Sequence, residues 1–436
     1  MSTTKKMSVT QLIIITAVNM MGSGIVMLPA KLAQVGGLSI ISWLVTAVGS
    51  MLLAYAFAKC GMYSQKSGGM NGYAEYTFGK AGNFLCGYSY GISIIIANVA
   101  IATSAVGYGA TFLGAELTPT MTCMATIAVL WVATLPNFGG PGVTGKLSSI
   151  TVWGVIIPIL AMFTVGWFYF SGDMYAANWN VHNLPFGEAA TNAITMTLWS
   201  FLGLESACAN ADAVDNPEKS VPTAVLCATA LCAVIYIVST NVLFGMLPAA
   251  EIEQSSAPFG LAFAHMFGPL AGRIVMGMMT IACMGCLMGW QFTLPNIFRS
   301  MAREGFMPSA FAFTNRFGAP AKGMFILTVI QTAMAFMAIS PNLNQQFEIL
   351  VNLATIANLI SYILCMSAVK NILITANKQK EMAFSLFAAA VGGVYSLYAA
   401  YASGFEAMTY GSLVVFAGML FYGYISSRYD LVTSKA

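Results

Sequence analysis

Apolar runs of about 17 to 26 residues, parted by short polar stretches, recur along this chain and restrict its fold more than any other feature. Wound as an α-helix, such a run crosses the roughly 30 Å hydrocarbon core of a bilayer, whereas a barrel strand needs only about ten residues. Only 8% of the 436 residues are charged and 58% are hydrophobic, against about 25% charged in soluble domains. The chain therefore reads as an all-α integral membrane protein. Hydropathy and the interrupting charges, prolines and glycines place spans near 9–33, 38–59, 83–112, 120–136, 147–170, 189–211, 222–247, 271–292, 323–340, 347–369, 382–402 and 407–427.

The basic residues test that count of twelve. Lys5, Lys6, Lys59, Lys66, Lys80, Lys146, Lys219, Arg299, Arg303, Arg316, Lys322, Lys370, Lys378, Lys380, Arg428 and Lys435 all fall on one side, and only Lys31 and Arg273 fall on the other. A wrong count would scramble this alternation, so the positive-inside rule puts both termini in the cytoplasm. The N-terminal MSTTKKMSV runs straight into the first span, and no removable signal peptide is expected.

Several function classes recede at once. The basic residues form no stripe, so no nucleic-acid partner is expected. All nine cysteines lie within or at the ends of spans, unlike a secreted disulfide framework. Cys283 and Cys286 have metal-like spacing, but no second pair or nearby histidine completes a site, and packing is the favoured reading. His182 and His265 lack a Ser, Cys or acid partner within a span, which argues against hydrolase chemistry. No metal, cofactor or catalytic residue is expected.

Against this background one stretch is anomalous: TLWSFLGLESACAN, from Thr197 to Asn210, puts Trp199, Ser200, Gly203 and the acid Glu205 inside a span. A carboxylate in hydrocarbon costs about 3 kcal/mol even on lenient insertion scales, so it is expected to face a cavity or a partner. Gly203 weakens the helix and lets backbone approach a ligand. Five spans earlier, Gly22-Ser23-Gly24 interrupts the middle of span 1. A break there would free backbone N–H groups at a positive dipole end, suited to a carboxylate. Taken alone, the glycines fit close helix packing equally well. Paired interruptions at matching places in two halves point instead to an inverted-repeat transporter and its site.

Other polar residues are less decisive. The segment QKSGGMNGYAEYTFGKAGNF, with Glu75 at its middle, suggests a short helix against the inner end of the bundle. Tyr90, Ser93, Asn98 and Ser104 sit in span 3, where lining a cavity and bonding between helices are both open readings. Cys283, Cys286 and Trp290 share one face of span 8, and a tryptophan so placed ordinarily anchors at the interface. Asn352, Asn358 and Ser361 form a polar series in span 10. Tyr422 and Tyr424 end span 12 as belt residues.

With these residues in view, NMMGSGIVMLPA, SGGMNGYAEYTFG, LWSFLGLESA and NPEKSVP resemble the signatures of the amino acid–polyamine–organocation superfamily. Within it the likeness is to the basic amino acid/polyamine antiporters and covers essentially the whole chain. The resemblance implies one transporter domain with a LeuT-like five-plus-five inverted repeat: 9–170, then 189–369, with two peripheral helices over 382–427. It implies that helices 1 and 6 are discontinuous and that Met20, Ser23 and Gly24 face the substrate. Ser93 and Asn98 would line the pocket, and Trp199 would gate it beside Leu202 and Gly203. Glu205 would handle charge, Trp290 would bound the pocket, and Asn352 would contribute from span 10. Cys60, Glu75, Tyr90, Cys208, Cys283 and Tyr422 match positions linked to polyamine handling. The implied activity is exchange of putrescine for ornithine across the bacterial inner membrane, with proton-coupled putrescine uptake beside it. Lysine/cadaverine or arginine/agmatine exchange is the alternative. Membrane lipid is the surrounding partner, and a homodimer stays open.

Overall fold

The computed structural model describes residues 8–66, 69–209, 216–340 and 342–433. Among them the regular structure is entirely helical. In chain order the helices are α1 (Val9–Met20), α2 (Ser23–Leu32), α3 (Ser39–Tyr63), α4 (Met70–Leu113), α5 (Pro119–Thr134), α6 (Pro141–Thr151), α7 (Trp153–Thr164), α8 (Gly172–Ala177) and α9 (Phe186–Trp199). There follow α10 (Ser206–Ala209), α11 (Pro217–Phe244), α12 (Ala249–Gln254), α13 (Pro258–Phe267), α14 (Pro269–Arg303), α15 (Ala321–Met337), α16 (Leu343–Thr375), α17 (Met382–Ala402) and α18 (Gly404–Thr433).

Local chemistry explains several boundaries. Ser8 and Gln11 form a reciprocal capping box at the start of α1. Thr118 caps α5, with Pro119 at the first helical position, and Asn342 caps α16. The expected short helix before span 3 is the first part of α4, set off by Gly79 with φ 60° and ψ −151°. It rests on the end of α16, where Asn371 donates to the Tyr76 carbonyl.

Nine helical stretches among the described residues are long and apolar enough to cross a membrane, and ten if α1 and α2 count as one broken span bent by 44°. Two of the twelve expected segments fall outside that count for physical reasons. The segment 189–211 divides into the 14-residue α9, a non-helical turn and α10, so no single helix reaches spanning length. The segment 323–340 is held by α15, which has only 17 residues. The short apolar α13 corresponds to no expected span, and it packs on α14 and α2.

α4 forms the centre, with 72% of its most apolar window buried, whereas α18 lies at the periphery with 17% buried. The helix contacts come in matched pairs. α3 packs on α11, α4 on α14, and α5 on α15. The contact of α1 with α11 is mirrored by that of α9 with α3, and α4 with α16 by α14 with α6 and α7. The contact of α5 with α14 is mirrored by that of α15 with α4. Each of these contacts thus reappears when the elements of the first five segments are exchanged for those of the second five.

Candidate functional site

Both anomalous glycine stretches interrupt their helices. α1 ends at Met20 and α2 starts at Ser23, and Gly22 caps α2 without any side-chain hydrogen bond. α9 ends at Trp199, and turns over 200–205 lead into α10. Gly203 has φ +108°, a conformation that strains any residue with a Cβ. The two breaks lie against each other. A Cβ on Gly203 would sit 3.0 Å from the Asn19 carbonyl oxygen, and one on Gly24 would sit 3.0 Å from Ser200 Cα and 3.3 Å from Trp199 Cδ1. Glycine at both places is what lets the interrupted backbones touch.

Glu205 stands at this junction, 4% exposed. Tyr90 donates its hydroxyl to Oε1 at 2.7 Å, Tyr362 donates to Oε2 at 2.6 Å, and the Gly203 N–H donates to Oε2 at 3.1 Å. Three neutral donors thus replace the water a buried carboxylate gives up. Two carboxylate oxygens offer about four acceptor positions, so capacity remains for one more donor, such as an ammonium.

Two cavities meet here. The larger, about 880 Å³, runs from Glu205, Tyr90 and Trp290 past Cys208 and Cys283 to Lys66, Glu218 and Ser300 on the side of the basic loops. Its volume is in the range of about 300–1,000 Å³ usual for small-molecule sites. The smaller, about 50 Å³, is bounded by Met20, Gly24, Ser93, Trp199, Leu202, Gly203 and Asn358. It is more than tenfold smaller than the first. Asn19, Gly22, Tyr90, Glu205, Cys286 and Trp290 line both cavities. The Trp199 indole is buried, and its Nε1 has no hydrogen-bond partner among the described residues.

The remaining expected residues separate into groups. Ser93 lines the small cavity, although its hydroxyl donates to the Ala354 carbonyl at 2.8 Å. Asn98 lines neither cavity; its amide donates to Gln291 Oε1, and Gln291 in turn donates to Gln331, so these three amides tie α4, α14 and α15 together. Asn352 lines a third cavity with Lys31 and Glu348, while its neighbour Asn358 takes the central position. Trp290 is drawn into the site and is no interfacial anchor, because α14 turns the face with Cys283, Cys286 and Asn296 toward the large cavity. Cys60 is buried outside both central cavities. Glu75 is bound by Lys66 at 3.0 Å, Lys80 at 3.2 Å and the Asn83 amide at 2.7 Å, away from the cavity wall. Tyr422 packs against Phe84 of α4, with ring centroids 5.4 Å apart. The backbone of Ser23 opens α2, but its side chain, like Asn210, lies outside the described residues.

Tyr362 is the residue that sequence reasoning missed. Its signal was present: it lies four residues after Asn358 on the polar face of span 10, where a hydroxyl in an apolar setting requires a partner. Asn19 was missed for a different reason: its backbone carbonyl lies beside Gly203 of the other break, and residue type does not reveal that.

Comparison with known proteins gives a consistent picture. Residues 7–425 match the model of the amino acid permease family. The chain is 57% identical to the putrescine transporter PotE of Escherichia coli K12 over 427 residues, which cover 98% of this chain and 97% of that one. It is 55% identical to the putrescine transporter PotE of Haemophilus influenzae over 98% of both chains. To the cadaverine/lysine antiporter of E. coli K12 it is 34% identical over 337 residues, 77% of this chain and 76% of that one.

Proposed function

Because this chain belongs to the amino acid permease family, we propose that it exchanges putrescine for ornithine across the bacterial cytoplasmic membrane by alternating access. It is a multi-pass transporter and not an enzyme. The identities of 57% and 55% to putrescine transporters, against 34% to the cadaverine/lysine antiporter, favour the four-carbon pair. The observation that carries the reading is Glu205, a buried carboxylate with acceptor capacity left, at the junction of two helix breaks and two cavities.

One site must accept both substrates through what they share, which is a four-atom span of methylenes or methines between two amines. Glu205 takes an ammonium, and Trp199, Trp290 and Tyr90 wall the apolar stretch and the cation. Only ornithine adds a carboxylate, for which the uncapped N–H groups at the start of α2 are the complement. Ornithine entering as a monocation and putrescine leaving as a dication remove one positive charge per cycle.

The architecture in this reading has twelve spans, with α9–α10 and α15 supplying the two that are short as single helices. The repeats are 9–170 and 189–369, with 382–427 peripheral and both termini in the cytoplasm. The matched helix contacts support that division. Cys60, Glu75 and Tyr422, outside the central cavities, act in it through the packing and not by touching substrate.

Counterflow in proteoliposomes tests the proposal. Labelled putrescine should accumulate against internal putrescine or ornithine and less against cadaverine, lysine or agmatine. Net exchange of outside ornithine for inside putrescine should quicken when the interior is made positive, since one charge is worth about 2.3 kcal/mol per 100 mV. Preference for cadaverine or agmatine, or indifference to the potential, would overturn it.

A further inference from the structure

The third cavity, about 470 Å³, opens on the side opposite the basic loops and shares no residue with the central pair. Its walls carry Lys31, His182, Glu253, Glu348, Asn192 and Asn352. Lys31 is one of only two basic residues that the sequence puts on this side. The other, Arg273, is placed over the Phe112 ring at 5.8 Å. Lys31 instead reaches Glu348 Oε1 at 2.7 Å and Gln34 Oε1 at 2.6 Å, joining α2 to the first turns of α16. His182 Nε2 lies 3.5 Å from Glu253 Oε2 on the adjacent wall.

We propose that this cavity is a reception site for a basic amino acid, in which Lys31 takes the α-carboxylate and Glu348 and Glu253 take the ammonium groups. The inference rests on the exchange reading above and adds a second, outer site to it. The Lys31 and Glu348 side chains are 22% and 32% exposed. A pair wetted to that degree contributes at most about 1 kcal/mol, so a charged ligand can open it. A basic amino acid replaces the pair with two new ones, its carboxylate on Lys31 and an ammonium on Glu348, and every charge stays compensated. A diamine occupies the two carboxylates but gives Lys31 no anion, so it makes one charge-assisted contact fewer than the amino acid. The outer face thereby selects the amino acid over the diamine before either reaches Glu205.

The position suits hand-over. Thr195 and Met196 of α9 line this cavity, and Trp199, one helical turn further on, lines the small central one. Asn352 and Asn358 of α16 line the outer and the central cavity in the same order. One to two turns of helix, roughly 5–9 Å, separate the two levels.

The test uses the full chain in proteoliposomes, with ornithine, lysine and putrescine offered separately from each face. Lys31→Gln should raise the outer KM for ornithine and lysine by up to about fivefold relative to that for putrescine, the scale of one partly exposed ion pair. Lys31→Arg should restore the wild-type ratio, and Glu348→Gln should raise the outer KM for all three substrates. If Lys31→Gln weakens ornithine and putrescine equally, the lysine is a structural tie and the site is refuted. A ratio that moves equally from the inner face refutes it as well. If the wild type exchanges neither putrescine nor ornithine, the exchange reading fails and takes this proposal with it.

Discussion

In the proposed exchange Glu205 meets two demands that conflict in hydrocarbon: it offers a carboxylate to the substrate and must not be left bare when the substrate is gone. Tyr90, Tyr362 and the Gly203 N–H meet the second demand. Each such bond to a charged group contributes about 1.5–3 kcal/mol. Tyr362→Phe removes one of three and should lower putrescine kcat/KM by roughly tenfold while the protein still folds. Glu205→Gln removes the charge itself and should cost at least about a hundredfold, because an ammonium then faces a neutral amide. Radiolabelled uptake in proteoliposomes measures both. If Tyr362→Phe proves the more damaging of the two, the tyrosine has a role beyond supporting the acid.

At the scale of the element, the two broken segments work as one unit because each supplies the space the other needs. Gly203 adopts φ +108° with the Asn19 carbonyl beside it, and Gly24 lies against Ser200. Gly203→Ala adds a Cβ that meets that oxygen at 3.0 Å in a backbone conformation alanine disfavours. We expect a loss of about 1–3 kcal/mol, concentrated at the break. The thermal midpoint in detergent should fall, and transport should fall further than stability alone accounts for. An alanine variant with wild-type midpoint and turnover would show that the break has no such constraint. The gap over 200–205 also explains why hydropathy reads a continuous span where no continuous helix exists: side chains stay apolar while the backbone leaves the helix.

For the whole molecule, the larger cavity runs from the basic-loop side down to Glu205, while Trp199 of α9 lines the small cavity and Thr195 and Met196, one turn earlier, line the third. Cys286 lines both central cavities and is half-buried. In a chain whose only cysteine is Cys286, a membrane-impermeant thiol reagent should block counterflow from the basic-loop face, and putrescine should slow the labelling. Labelling confined to the opposite face would reverse this assignment of access. The matched helix contacts are consistent with the proposed alternating access, in which two equivalent arrangements of one packing expose the site to either side in turn.

Hydropathy and charge bias were enough to read an all-helical membrane chain, and the acid and glycine anomalies were enough to locate Glu205 and its partner break near Gly22. These properties are local, because solvation of a side chain and helix weakness at glycine depend little on distant residues. Tertiary structure alone decided which polar residues meet. Ser93 and Asn98 look alike in span 3, yet one borders the small cavity and the other joins an amide chain to Gln291. Trp290 turned inward and Asn352 went to the outer cavity because helix rotation, which hydropathy does not encode in a span apolar on most faces, sets where a side chain points. Tyr362 and Tyr90 reach one carboxylate from helices far apart in sequence. That convergence is a property of packing, and no periodicity along a single helix carries it.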